Sequence, residues 1–217
     1  MIIAVANIKG GVGKTNIAVS IATYLLTQKA KTVFLVDTDE QESASMALKV
    51  RKMLGVKPAV PFKLITEAKE LSWNLEELKK QYDYVIVDAG GRDTEALRAT
   101  LLRTDILLVP CPPGSTDIWS FKKKLGKIVA DARKIGGKFK AYSFLSRADA
   151  KLGSADNINA QKIIEQVPEF EFVDARIVNR KAYGIALGSG KSVFELRPRD
   201  LKACNEIRYL VEKTIPL

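Results

Sequence analysis

The sequence predicts an α/β fold: one domain, residues 1–217, with a mainly parallel, doubly wound sheet flanked by helices. Short, continuous apolar runs alternate with longer segments of helical periodicity, and such runs are typical of parallel strands that are buried on both faces. Glycines, aspartates or prolines directly follow several of these runs, at the carboxyl ends of strands where sheets of this class bind ligands. No linker, repeat or low-complexity tract divides the chain.

Each element is predicted from the spacing of its apolar residues and from the glycines and prolines that bound it. The strands are expected at Ile2–Ala6, Thr32–Val36, Phe62–Ile65, Tyr84–Val87, Ile106–Val109, Ala141–Leu145 and Phe170–Val178. The helices are expected at Asn16–Thr27, Gln41–Leu54, Leu75–Tyr82, Thr94–Arg103, Ser115–Ile135, Asn157–Gln166 and Asp200–Thr214. Gly126 is a candidate break within the long helix.

The first strand leads directly into a glycine-rich segment that opens the first helix. Backbone N–H groups of a tight loop converge on one anion only where side chains are absent, and the helix N-terminus adds further N–H groups. Lys14 is expected to contact the β/γ-phosphates of ATP, and Thr15 to supply a hydroxyl ligand for Mg²⁺. The expected nucleotide-binding residues are Lys9, Gly10, Gly11, Val12, Gly13, Lys14, Thr15 and Asn16.

The loop departs at one position from the general P-loop pattern. Ile8 stands where that pattern has its first glycine, and Lys9 follows directly. The resulting K-G-G-x-G-K-T box resembles the deviant Walker A box of the ParA/MinD group of ATPases. A glycine-rich turn with two chance lysines is the weaker interpretation, because the match falls between a strand and a helix.

Three aspartates follow predicted strands. Asp88 ends the fourth strand, as a Walker B aspartate does, which predicts a place in the Mg²⁺ shell. A plain turn aspartate at a strand end is the alternative. Asp37 and Asp39 lie two residues apart, so their side chains share one side if the chain there is extended.

The motifs together resemble ParA-family partition ATPases along nearly the whole chain. These motifs are KGGVGKT at 9–15, VDTDEQ at 36–41, YVIVDAGG at 84–91 and VFE at 193–195. The length resembles the small, plasmid-type ParA proteins of the ParF kind. Two residues depart from the family pattern: Asn16 stands where threonine is commoner, and Glu40 stands where a proline usually follows the second aspartate.

The resemblance implies a mechanism. Two protomers close on two ATP molecules, and Lys9 of each reaches the nucleotide of the other. Lys14 binds phosphate, Asp39 orients the attacking water, and Asp37 belongs with Thr15 and Asp88 in the metal shell. The ATP dimer binds DNA non-specifically, and a ParB-like centromere-binding protein stimulates slow hydrolysis. The implied function is DNA partitioning.

The net charge of +10 lies mainly in the second half of the chain. Residues 1–100 hold 14 Lys/Arg and 12 Asp/Glu, net +2, whereas residues 101–217 hold 21 and 13, net +8. A merely soluble basic surface is the alternative to a polyanion partner, but in a ParA-like chain the excess favours contact with the DNA backbone. The candidate DNA-binding residues are Lys123, Lys127, Arg176, Arg180, Lys181, Arg199 and Lys202.

The adenine-binding residues stay open at this stage. Loops after late strands usually contact the base in this fold. Ser146 and Arg147 are candidates for that contact, and so is the loop at residues 110–115.

Three other functions compete with DNA partitioning. A MinD-like ATPase at a membrane surface needs a basic amphipathic tail, and residues 200–217 favour a docked helix instead. A protein-cargo-positioning ATPase shares the mechanism and differs only in its cargo. An amidating synthetase is disfavoured because there is no glutaminase segment with Cys and His: the sequence contains no histidine, which also excludes a histidine base.

The composition favours the cytoplasm. Two cysteines lie far apart, no run of 18 apolar residues occurs, and the first residues lack a charged signal-peptide region. We therefore expect a cytoplasmic protein without stable membrane insertion, associated with the nucleoid in its ATP form.

Overall fold

Parallel strands form the central sheet in the computed structural model, which describes residues 1–114, 121–151 and 153–217. The order is β3-β2-β4-β1-β5-β6-β7, and every neighbouring pair is parallel. Strands β2 to β4 lie on one side of β1, with β4 inserted next to it, and β5 to β7 lie on the other side, so the loop after β1 lies at the switch point. The strands are β1 Ile2–Val5, β2 Val33–Asp37, β3 Phe62–Leu64, β4 Tyr84–Asp88, β5 Ile106–Cys111, β6 Lys140–Ala148 and β7 Glu171–Val178.

Helices cover both faces of the sheet. They are α1 Lys14–Gln28, α2 Ser43–Met53, α3 Ala68–Gln81, α4 Glu95–Arg103, α5 Gly126–Lys134, α6 Ala155–Ile164, α7 Lys181–Gly188 and α8 Leu201–Thr214. None of the described helices is both long and apolar enough to cross a membrane.

Two hydrophobic clusters, one on each face, follow from the two-residue period of the strands. Ile3 and Val5 of β1 contribute to the cluster that includes buried residues of α1 and α8. Ile2 and Ala4 contribute to the cluster that includes buried residues of α3, α4, α5 and α6. The predicted doubly wound α/β fold is therefore confirmed.

Helix boundaries differ from the prediction where capping decides them. The third helix begins at Ala68 rather than Leu75, because the Glu67 carboxylate caps it and accepts from the N–H groups of Lys69 and Glu70.

Helix α7 was not predicted. Its eight residues include two glycines, Gly184 and Gly188, which weaken the helical pattern.

The predicted long helix, Ser115–Ile135, changes type at Gly126. A π-helical turn, Phe121–Leu125, precedes α5, and residues 115–120 lie outside the described part of the chain. A Cβ atom at Gly126 would lie 3.3 Å from Glu169 Oε2. The expected break thus coincides with a close approach to a neighbouring side chain.

A buried arginine joins α2 to the C-terminal part of the chain. Arg51 is 2% exposed and pairs with both carboxylate oxygens of Glu195 at 2.7 and 2.9 Å. Its guanidinium also donates to the carbonyl groups of Pro58 and Gly190. Glu195 belongs to the VFE segment, and its carboxylate caps a 3₁₀ turn through the N–H of Ser192. Glu195 of the VFE segment is therefore the residue that holds Arg51 in this contact.

Loss of the Arg51 charge should destabilise the protein strongly. We expect Arg51→Met to lower the free energy of unfolding by about 3 kcal/mol or more, because Glu195 and two carbonyl groups lose a buried donor. Urea unfolding followed by circular dichroism measures this change.

A matched control lies on the same helix. Lys49 forms an ion pair with Glu42 that is largely exposed, with side-chain exposures of 54% and 37%, so Lys49→Met should change stability by less than about 1 kcal/mol. Equal effects of the two substitutions would contradict the importance of the buried contact.

Candidate functional site

The phosphate loop is fixed by a side chain at its start and by one from β6. The Asn7 amide donates to the carbonyl of Pro110 at 2.8 Å and accepts from the N–H of Lys9 at 3.1 Å. The Ser146 hydroxyl donates to the carbonyl of Val12 at 2.6 Å. These contacts fix the conformation of the loop. They therefore also fix the directions of its N–H groups, as an anion site requires.

Glycine is required at the point where the loop enters α1. Gly13 is the N-terminal cap of α1 and has φ +94°, a conformation that other residues rarely adopt. A Cβ atom there would also lie 3.2 Å from Ser146 Oγ. Gly11, with φ +73°, needs the same freedom.

Lys14 points back across the loop. Its side chain is 7% exposed, and Nζ donates to the carbonyl of Lys9 at 3.0 Å. Burial lowers the pKa of Lys14, and the nearby carboxylates of Asp88 and Asp39 oppose that change. The ammonium group is thus held where phosphate is expected. Lys9, on the same loop, is exposed.

Asp88 carries a buried carboxylate directly beside this lysine. The residue is 1% exposed, and burial raises its pKa to about 7, although a hydrogen bond from the Thr15 side chain opposes the shift. Its Oδ1 atom has no hydrogen-bond partner among the described residues. An unpaired buried oxygen beside a hydroxyl fits a hard divalent cation such as Mg²⁺.

The described side chains of this site do not form a complete set of metal ligands by themselves. No group of three or more His, Cys, Asp or Glu side chains in the described ranges is arranged to hold an ion. Such a donor set fits Mg²⁺ bound together with phosphates and water, the usual arrangement in nucleotide sites.

Asp37 lies opposite Asp88 on the neighbouring strand. It is fully buried, and its two oxygens accept from the N–H of Asp39 at 3.1 Å and of Ser45 at 2.8 Å. Burial raises the pKa of Asp37, while these two hydrogen bonds lower it. The contacts give Asp37 a positioning role for the start of α2, and its place in the metal shell stays a prediction.

Asp39 lies in the wall of a cavity of about 500 Å³ beside the phosphate loop. Strand β2 ends at Asp37, so the extended geometry that would align the two side chains stops there. Asp39 accepts from the N–H of Gln41 at 3.0 Å, and its carboxyl carbon would lie 3.7 Å from a Cβ atom at Gly90. The same cavity is lined by Gly10 and Gly91, which places Asp39 across from the loop.

A second cavity, of about 360 Å³, lies on the other side of the loop. Its wall includes Asn16, Ser146 and Arg147 from the sequence prediction. Arg147 is exposed and has φ +52°, which is uncommon for a residue other than glycine. The rival loop at 110–115 is described only to residue 114, and Ser115 lies outside the described residues.

The end of β7 also forms this wall, which the sequence did not indicate. Asn179 and Lys181 line the cavity together with Gly13 and Asn16. The sequence indicates Arg180 and Lys181 only as parts of a basic surface, and it gives Asn179 no role. Lys181, a candidate for DNA contact, therefore borders the nucleotide region.

The other DNA-binding candidates do not form one surface. Arg180 is held by Glu206 of α8 at 2.7 Å and Arg176 lies 3.5 Å from Asp174. Arg199 and Lys202 are exposed at the start of α8. Lys123 and Lys127 lie with α5 on the opposite face of the sheet.

Comparisons with known proteins agree with this geometry. The family described as CobQ/CobB/MinD/ParA nucleotide binding domain matches residues 3–181. A maintenance of carboxysome distribution protein A from Halothiobacillus neapolitanus is 32% identical over 218 residues, covering 99% of this chain and 96% of the relative. A protein of the same name from Gloeobacter kilaueensis is 32% identical over 208 residues, covering 93% and 87%.

A solved structure shows the same fold. The ATP complex of a McdA variant from Cyanothece superposes with a TM-score of 0.76 at 21% identity, covering 100% of this chain and 97% of that one. The small plasmid ParF-like subtype expected from the length has no specific support, since the two relatives described above carry carboxysome names. The family itself is shown: this chain belongs to the CobQ/CobB/MinD/ParA family of nucleotide-binding domains.

Proposed function

We propose that this chain is an ATPase that positions a large protein cargo. The observation that supports ATP hydrolysis is the convergence of Lys14, Thr15 and Asp88 on one glycine loop, with Asp39 in the adjacent wall. The similarity to two carboxysome-distribution proteins, over nearly the whole chain, favours protein cargo. This replaces the sequence-based preference for plasmid DNA as cargo.

In this proposal the chain acts mainly by positioning charge. The loop N–H groups and Lys14 bind the phosphates, and Lys9 of a second protomer completes the charge neutralisation in the ATP dimer. Mg²⁺, when bound beside Thr15 and Asp88, neutralises charge that develops on the phosphates. Asp39 accepts a hydrogen bond from the attacking water and aligns it.

The tail of the chain does not favour a membrane-surface mechanism. The apolar residues Ile207, Leu210 and Val211 of α8 are fully buried against the domain. A helix that binds a membrane surface must present such residues outward. The predicted docked helix is confirmed for the described structure.

We further propose that DNA is the surface on which the ATP form is held. Arg199 and Lys202 carry exposed charge at the start of α8, next to Arg197. Backbone contacts of this kind give affinity without sequence preference. The protein would then be cytoplasmic, associated with the nucleoid when ATP is bound, and released after a partner protein stimulates hydrolysis. A ParB-like protein is one candidate for that partner.

Loss of the Asp39 carboxylate should separate binding from turnover. We expect Asp39→Ala to bind ATP normally and to hydrolyse it about 10²-fold more slowly, because the attacking water loses its acceptor. Phosphate release under saturating ATP measures the rate. Glu212→Ala removes an exposed carboxylate of α8 outside this cavity; it is the control and should change the rate less than about threefold. Unchanged turnover in Asp39→Ala would remove Asp39 from this role.

Loss of the Lys9 charge should separate nucleotide binding from dimerisation. We expect Lys9→Ala to bind a fluorescent ATP analogue while remaining a monomer in light scattering, because the cation is needed only across the dimer interface. Lys14→Ala is the comparison and should lose nucleotide binding itself. A stable ATP dimer of Lys9→Ala would refute the cross-protomer role.

Removal of the α8 charges should weaken DNA binding in a salt-dependent way. We expect Arg199→Gln/Lys202→Gln to lower the slope of log K against log salt by about two for random-sequence duplex DNA in the presence of a slowly hydrolysed ATP analogue. Fluorescence anisotropy across a salt series measures the slope. Lys69→Gln/Lys80→Gln, which removes two exposed lysines of α3, should leave it unchanged. Equal slopes in both variants would place the DNA elsewhere.

A further inference from the structure

A basic concavity opens beside the phosphate loop on the face of the sheet away from α8. It has a volume of about 450 Å³ and lies between the loop after β4, helix α4 and the π-helical turn before α5. Five cationic side chains line it, together with half-buried Ile8 and buried Ile128. Four of the cations are Arg92, Lys123, Lys124 and Lys127.

Most of the positive charge in this concavity is not paired with carboxylates of the chain. A fifth cation there, Arg98, pairs with both carboxylate oxygens of Asp93 at 3.0 and 2.9 Å. The four cations named above form no ion pair within the described ranges, and Asp131 at the edge lies 3.5 Å from Lys134. Lys123 and Lys127 are one helical turn apart, so their charges repel each other. An anionic occupant would relieve that repulsion.

The shape and surroundings favour a peptide over duplex DNA. Ile8 is half-buried and offers apolar contact that a phosphate backbone does not use, whereas an amphipathic peptide does. Ile128 is 5% exposed and belongs to the core. Asp93 and Asp131 within the same wall oppose a uniformly charged phosphate chain, while a peptide can alternate its charges to fit them. Lys123 and Lys127 also lie across the sheet from Arg199 and Lys202, so the proposed DNA surface does not extend to them.

We propose that this concavity binds an acidic segment, interspersed with apolar residues, of a partner protein. The occupant would contact Arg92, whose neighbour Gly91 packs against the phosphate loop: a Cβ atom at Gly91 would lie 3.2 Å from the Gly10 nitrogen and 3.4 Å from Lys14 Nζ. Binding here therefore reaches the nucleotide site through the loop after β4. The inference goes beyond the proposed function and is independent of the DNA surface.

The test uses a fluorescein-labelled peptide of twelve alternating Glu and Leu residues and the full chain with a slowly hydrolysed ATP analogue. We expect Lys123→Gln/Lys127→Gln to weaken peptide binding about tenfold in fluorescence anisotropy and to leave random-duplex DNA binding unchanged. Arg199→Gln/Lys202→Gln makes the same change of charge on the opposite face and should leave peptide binding intact. Lys123→Arg/Lys127→Arg keeps the charge and should retain the peptide.

Three results would overturn the proposal. Equal weakening of the peptide by the two glutamine pairs would indicate non-specific attraction to a basic protein. Displacement of the peptide by inorganic phosphate or duplex DNA would identify a phosphate-binding surface. Loss of DNA binding in Lys123→Gln/Lys127→Gln, with the peptide retained, would return these lysines to the DNA interface. Failure of the DNA prediction for α8 would leave the peptide result unaffected.

Discussion

The structure depends on a loop whose backbone N–H groups converge on an anion-binding position. N–H groups that converge on one point cannot hydrogen-bond to each other, so the loop needs support from neighbouring residues. Asn7 and Ser146 supply the missing support by bonding the carbonyls of Pro110 and Val12. The two neighbouring strands on this side of the sheet, β5 and β6, are therefore part of the phosphate site as much as the glycines are.

Helix α2 joins this site to the C-terminal part of the chain. Near its start, the N–H of Ser45 donates to buried Asp37, two residues before Asp39. Near its end, Arg51 is clamped by Glu195, two residues before Arg197. Helix α2 thus joins the Asp37–Asp39 segment to the basic segment that opens α8.

Local patterns predicted much of this molecule. The strands of continuous apolar residues, the glycine loop and the aspartates that end β2 and β4 are all encoded within a few neighbouring residues. The sheet order was not predicted, because short and right-handed connections restrict the possible orders without selecting one.

The contacts that sequence could not reveal join residues far apart in the chain. Arg51 and Glu195 are separated by 144 positions, and Ser146 and Val12 by 134. Arg180 appeared as a free surface cation because Glu206, its partner, belongs to another element. Asn179 lines the cavity beside Asn16 because β7 lies at the edge of the sheet, and the local sequence does not reveal that position.

The unpaired oxygen of Asp88 links ligand binding to stability. A buried carboxylate oxygen without a partner costs about 1–3 kcal/mol, and Asp88 Oδ1 has none among the described residues. A ligand that binds only the folded state adds its binding free energy to the stability. Binding of a nucleotide and a cation at this oxygen would therefore raise the free energy of unfolding of the chain.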